Sequence, residues 1–302
     1  MDTRKLTNSV FIDDETDAFG RDAEISFEPD GKPGWRWKRP DGVVVPLTME
    51  IVSCETNRIV AKSGPYTLHT LEHIIAPRPL IPDGVVVWVK EQHWPRSGCW
   101  PPTDGGCGMY WRAIEERGGL QPNEHPIVWK RPRGEGAWNS QNGKRSVTLI
   151  PNDEDALTVD ITIDYPGLSE HDTQCCLPRD IEAYKDWVIP SKSQGLLLGF
   201  FGWTIPWRVT YWMLRLLQPF FRFVGVSWLP RVGIMNWPHL MDHDDAAEVF
   251  LDHRVLDFIA ALMIPDTEPE RMNEWPALRG RSVRGGHAGD ITARKSMMAG
   301  GP

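Results

Sequence analysis

The chain has 302 residues, a net charge of −8, and 41% apolar against 25% charged residues. These are globular proportions, which exclude a disordered chain, and the charge is spread out with no basic excess, which argues against unspecific nucleic-acid binding. The five cysteines, Cys54, Cys99, Cys107, Cys175 and Cys176, are odd in number with no CxxC spacing, so they fit neither a disulfide framework nor a thiolate zinc site and read as reduced structural thiols.

The opening "MDTRKLTNSVFIDDETDAFG" lacks the apolar core of an export signal and turns acidic early, so a cytoplasmic address is expected. Residues 22 to 38, "DAEISFEPDGKPGWRWK", read as a strand, a Pro/Gly turn and a returning strand. "GPYTLHTLEHII", 64 to 75, reads as a strand running into a helix, and "GMYWRAIEERGG", 108 to 119, as a helix closed by a glycine pair. The stretch from 121 to 144 is rich in Pro, Gly, Asn and charge and reads as a linker, assigned to 123–144.

From 146 to 165, "SVTLIPNDEDALTVDITIDY" repeats the strand, turn, strand layout of the first half, with Val159, Ile161 and Ile163 on one face, which suggests a duplicated unit. The most apolar block, 195 to 233, is interrupted by Arg208, Arg215, Arg222 and Arg231 and broken by Pro206 and Pro219, so it is not a spanning helix. Two readings stand for it: an element lying on an anionic membrane surface, or a hydrophobic subdomain packed on the body of the protein. The last clear helix, "DDAAEVFLDHRVLDFIAALMI" (244 to 264), opens on acids that suit the positive end of its dipole, and Pro265 stops it.

A hydrolytic metal site needs nitrogen or oxygen ligands, an open position and a base beside it. In "HRVLD", His253 and Asp257 stand at i and i+4, a spacing that lets both side chains reach one ion. His73 is a further ligand candidate with Glu72 beside it, and "RGGHAG" sets His287 among glycines. Two histidines and an aspartate for a metal, a glutamate for a base and a third histidine for an acid make a complete hydrolytic set. The competing candidates have plainer readings: "MDHDD" (241 to 245) as the acidic start of a helix, His69 as structural, and "RGRSVR" (279 to 284) as a solvated basic loop.

The ordered motifs "TLEH", "HRVLD" and "GGH" resemble the zinc-dependent UDP-3-O-acyl-N-acetylglucosamine deacetylases of lipid A synthesis, whose pattern is T-V-E-H, H-K-x-L-D and S-G-H. "PPTDGGCGMYWRAIEERGG" and "TLIPNDEDALTVDITIDYPG" extend the similarity over most of the chain, while 199–233 is unmatched. The resemblance implies an α+β fold of two similar domains, 1–122 and 145–302, each a β-sheet layered with α-helices, with the active site at their interface. It implies Zn²⁺ on His73, His253 and Asp257, Glu72 as general base and His287 as general acid. Arg254 would face the nucleotide diphosphate of an acylated UDP-N-acetylglucosamine substrate, and 199–233 would hold the acyl chain or rest on the inner membrane. A monomer is expected.

Three positions depart from the pattern: Ala261 replaces an aspartate that orients the acid histidine, Gly105 replaces a serine, and "EAYKDW" (182 to 187) offers no counterpart to a threonine that assists the oxyanion. They motivate the alternative of a homologue that binds an acylated or nucleotide-sugar ligand without turning it over.

Overall fold

The structure, a computed structural model, describes residues 3–17, 21–55, 58–93, 97–103, 105–132, 138–142, 145–163, 170–191, 216 and 246–299. The apolar block 199–233, apart from residue 216, and the "MDHDD" stretch lie outside them. The described chain is a mixed α/β structure with three five-stranded sheets, two two-stranded ones and five α-helices, besides a π-helical turn at Tyr184–Val188. The helices are α1 (Leu71–Ile75), α2 (Gly108–Arg117), α3 (Ile181–Ala183), α4 (Ala246–Met263) and α5 (His287–Met298).

The first sheet runs, in spatial order, Val10–Thr16, Asp22–Pro29, Val85–Val89, Trp35–Lys38, Val44–Pro46. The two strands read from residues 22 to 38 do form, but they do not pair with each other. Strand 85–89 enters between them, antiparallel to 22–29 and parallel to 35–38. The third sheet repeats this arrangement: Arg145–Pro151 and Leu157–Ile163 flank Leu278–Val283, again antiparallel on one side and parallel on the other. Trp138–Asn142 and His171–Leu177 form its edges, so both sheets have one strand order and one set of directions. The entering strand is favoured because every second residue is buried, as Val85, Val87 and Val89 are, and a central strand gains ladder hydrogen bonds on both sides.

Two expectations change here. The stretch expected as a linker, 123–144, contains strand Val128–Lys130, parallel to Glu274–Pro276, and strand 138–142 of the third sheet. Trp129 packs edge-on against the fully buried Trp275, which anchors the segment despite its polar composition. "RGRSVR", expected as a solvated loop, lies mostly in the central strand 278–283, where Arg279 and Arg281 point to solvent and Gly280 and Ser282 to the core. Period-two alternation with small inward residues gives that strand its buried face.

The second sheet (Glu91–Gln92, Gly98–Cys99, Tyr66–Leu68, Arg58–Ser63, Val52–Glu55) branches from the first half of the chain and leads into α1. Helix α4 lies on the third sheet so closely that a Cβ at Gly280 would meet the Phe258 ring at 2.8 Å. Helix α1 packs on α4, while α5 packs on α4 and on strands of the second and third sheets. One continuous apolar core joins both halves of the chain, from Leu6 to Met297.

The C-terminal end of α4, whose last carbonyls have no helical partner, is closed by two buried arginines. Arg78, just beyond α1, donates to the carbonyls of Pro82 (3.2 Å) and Met263, and Arg294 of α5 donates to Ile264 (2.9 Å). Both cations sit at the negative end of the helix dipole. The α1, α4 and α5 segments are thereby held in one bundle between the sheets.

Candidate active site

The five hydrolytic residues read from the sequence meet where α1, α4 and α5 come together, with Glu72, His73, His253 and Asp257 buried and His287 partly buried. Strand 66–68 leads into α1 through Thr70, which adopts the left-handed conformation (φ 56°, ψ 43°), and this turn presents Glu72 and His73 to α4. On α4 the i, i+4 spacing does what the pattern predicts: His253 Nε2 lies 3.5 Å from Asp257 Oδ1. His287 is the first residue of α5, after the glycine pair 285–286.

One donor atom from each of His73, His253 and Asp257 lies within 4.8 Å of the others, a group that could hold a metal ion. The two imidazoles meet edge to face, with centroids 5.4 Å apart. His287 Nε2 points at both carboxylates, 3.6 Å from Asp257 Oδ2 and 3.9 Å from Glu72 Oε1. The other Glu72 oxygen, Oε2, accepts a hydrogen bond from the Ile59 amide at 2.8 Å, which fixes the carboxylate plane and leaves Oε1 toward His287.

Burial dominates the electrostatics. It holds His73 well below the ordinary histidine range, with His253 and His287 adding to the fall. His253 falls to about 4, chiefly by burial, against which the Ser191 backbone works. His287 is also lowered by burial, opposed by Asp257. The carboxylates move the other way: burial and then Asp257 push Glu72 up to about 8, and burial raises Asp257 although His287 and Arg254 counter it. Neutral imidazoles beside under-neutralised carboxylates are the donor set that a divalent cation satisfies.

The unmet polar atoms fit the same reading. His73 Nδ1 and Asp257 Oδ1 are buried without a hydrogen-bond partner among the described residues, a state that costs free energy unless another group engages them. Two histidines and one carboxylate suit zinc and iron alike.

Arg254 departs from expectation. Its guanidinium is turned into the protein, 7% exposed, where it meets Asp290 Oδ1 at 2.5 Å and Ser282 Oγ at 3.1 Å and lies over the Phe258 ring at 5.2 Å. One position after His253, a helical residue is rotated about 100° from the face that His253 shares with Asp257, and here that direction is the interior. A diphosphate-facing role is therefore not what its geometry offers.

Sequence reading passed over Asp290, which is fully buried one turn after His287, and Ser191, whose backbone influences His253. An aspartate in the first turn of a helix reads as an ordinary dipole partner, so nothing local marked Asp290. His69 is structural as expected, its ring stacked on Trp100 at 3.8 Å and 10°. Burial pushes the Cys99 and Cys175 thiols up to about 12, which makes them inert.

Compared with known proteins, the chain matches no family model and no curated sequence.

Proposed function

We propose that the chain is a zinc-dependent amidohydrolase that removes the N-acetyl group of an acylated UDP-N-acetylglucosamine, releasing acetate and a free amine. The observation that carries this reading is the convergence of Glu72, His73, His253, Asp257 and His287, from positions more than 200 residues apart, into one cluster. Residues 1–122 and 145–302 act in this reading as two domains that share the site, which the common strand order of the first and third sheets supports.

His73, His253 and Asp257 would hold the ion. Zinc bound there supplies a Lewis acid for the amide carbonyl and brings the pKa of water near neutrality. Glu72, with Oε2 fixed by the Ile59 amide, takes the proton of the attacking water at Oε1. His287 Nε2, 3.6 Å from Asp257 Oδ2, gives its proton to the departing amine nitrogen as the C–N bond breaks. Burial of the cluster keeps bulk water away from these transfers.

The test begins with metal analysis of the full chain: about one zinc per chain is expected, lost in His73→Ala and Asp257→Ala. Glu72→Gln should keep the zinc and lose about 10²–10⁴ of the acetate release. A wild-type chain that holds zinc but releases no acetate from substrates of any acyl length would sink the catalytic reading. The reading of a binding homologue would then stand. It draws on one specific observation: His287 Nδ1 is buried without a hydrogen-bond partner among the described residues, and the position expected to orient that ring is the core residue Ala261.

A further inference from the structure

We propose that Asp290 is a positioning residue for His287, acting through its buried ion pair with Arg254. The inference rests on the reading of His287 as the proton donor, and it deepens that reading by naming what sets the donor's place.

The helix that carries two metal-ligand candidates and the helix that starts at the acid must keep a fixed spacing, because His287 Nε2 has to stay close to both Asp257 and Glu72. His287 stands at the very first position of α5, where fraying is easiest and no side chain caps the helix. The turn is closed by the Gly289 and Asp290 amides, which donate to the Gly286 carbonyl at 2.8 and 3.1 Å. Asp290 stands three residues after His287, beside it on the helix surface and 0% exposed. Its carboxylate reaches across to Arg254, the neighbour of His253 on α4, at 2.5 Å. The link between the two helices is therefore one residue from a ligand on one side and one turn from the acid on the other.

The surroundings are built for this pair. Arg254 also donates to Ser282 on the central strand of the third sheet, so the link is referenced to the sheet as well. A Cβ at Gly285 would come within 2.1 Å of Ser282 Oγ and 3.3 Å of Arg254 Nη2, so the residue two before the acid must be small for the guanidinium to lie where it does. Buried ion pairs add little net stability over apolar packing, and their best-attested use is to fix register. At this position the register fixed is that of the acid against the metal ligands. Arg254 and Asp290 thus supply, by a route through the helix pair, the placement that Ala261 cannot.

The experiment compares the zinc-loaded full chain with Asp290→Asn and Asp290→Glu, reading zinc content, kcat and KM for acetate release, and the ring resonances of His287 in histidine-labelled protein. For Asp290→Asn the expectation is retained zinc, kcat lowered at least about tenfold with KM little changed, and a shifted or broadened His287 signal. Asp290→Glu keeps the charge and should recover part of both. A folded, zinc-bound Asp290→Asn with wild-type kcat and an unmoved His287 signal overturns the proposal. Should Asp290→Asn not fold, Asp290→Glu decides, since a carboxylate one methylene longer must displace the His287 signal if the link sets its position, and an unmoved signal overturns it. If the wild type turns nothing over, the deacetylase reading fails by itself, and the His287 signal still supports or overturns the positioning role.

Discussion

His69 offers a measurable consequence of how the segment bearing Glu72 and His73 is supported. Its ring is stacked on Trp100, and its two nitrogens are buried without hydrogen-bond partners among the described residues. Burial, followed by the positive charge of Arg58, lowers its pKa from 6.5 to about 4, with Lys62 and Arg21 acting in the same direction and Glu55 against it. The folded state therefore binds fewer protons than the unfolded one between these values, so stability is complete above pH 6.5 and is lost as pH falls toward 4. At about 1.4 kcal/mol per pH unit, the loss relative to pH 7.5 is about 2 kcal/mol at pH 5 and about 3 kcal/mol at pH 4. Urea unfolding of wild type and His69→Phe from pH 7.5 to 4, in chelator so that metal adds no pH dependence, isolates this contribution. The exchange keeps a ring on Trp100 and removes no hydrogen bond, and any packing cost is the same at every pH. Wild type should lose about 2 kcal/mol more than the variant by pH 5. Parallel curves for the two proteins would refute the reasoning.

Other outcomes follow from the same geometry. Gly98→Ala should destabilise by about 1–3 kcal/mol, measured by urea unfolding, because φ there is +130° and the new Cβ would stand 2.6 Å from His69 Nε2. Chelation should lower the thermal midpoint of wild type, and zinc restore it by mass action, with no such response in Asp257→Ala. The membrane reading of residues 199–233 predicts co-sedimentation with anionic vesicles, and sedimentation that does not change on deleting them would remove it and leave the packed subdomain. Among the described residues no helix is long and apolar enough to cross a bilayer.

Local patterns were readable where the physics is local. The period of α4, its stop at Pro265, and the end of α2 at Gly118 with Gly119 in the left-handed region (φ 59°) are all written in short windows of sequence. The alternation of Leu157, Val159, Ile161 and Ile163 likewise became a buried strand face. What could not be read was partner choice over distance. Nothing in residues 22 to 38 or 146 to 163 announces that another strand will enter between two that look like a hairpin, since that depends on sheet-wide burial. The candidate site divides in the same way. The i, i+4 pair His253 and Asp257 is a local rule, and the motif order brought in Glu72, His73 and His287. The direction of Arg254 depended on Asp290, 36 residues away in sequence and in contact only after α5 docks.

The shared strand order has a temporal meaning. In each five-stranded sheet of this pattern the middle strand is the last of the five to be made, and the chain between it and its predecessors contains α1 in one half and α4 in the other. Strands 85–89 and 278–283 therefore act as bolts that slide home only after the segments bearing His73, His253 and Asp257 have been synthesised and folded back. Each bolt closes a long chain loop whose entropy must be met before the ladder forms, which makes this the slow part of assembly. Under the proposed metal reading, His73, His253 and Asp257 come together only once those segments are held by the closed sheets.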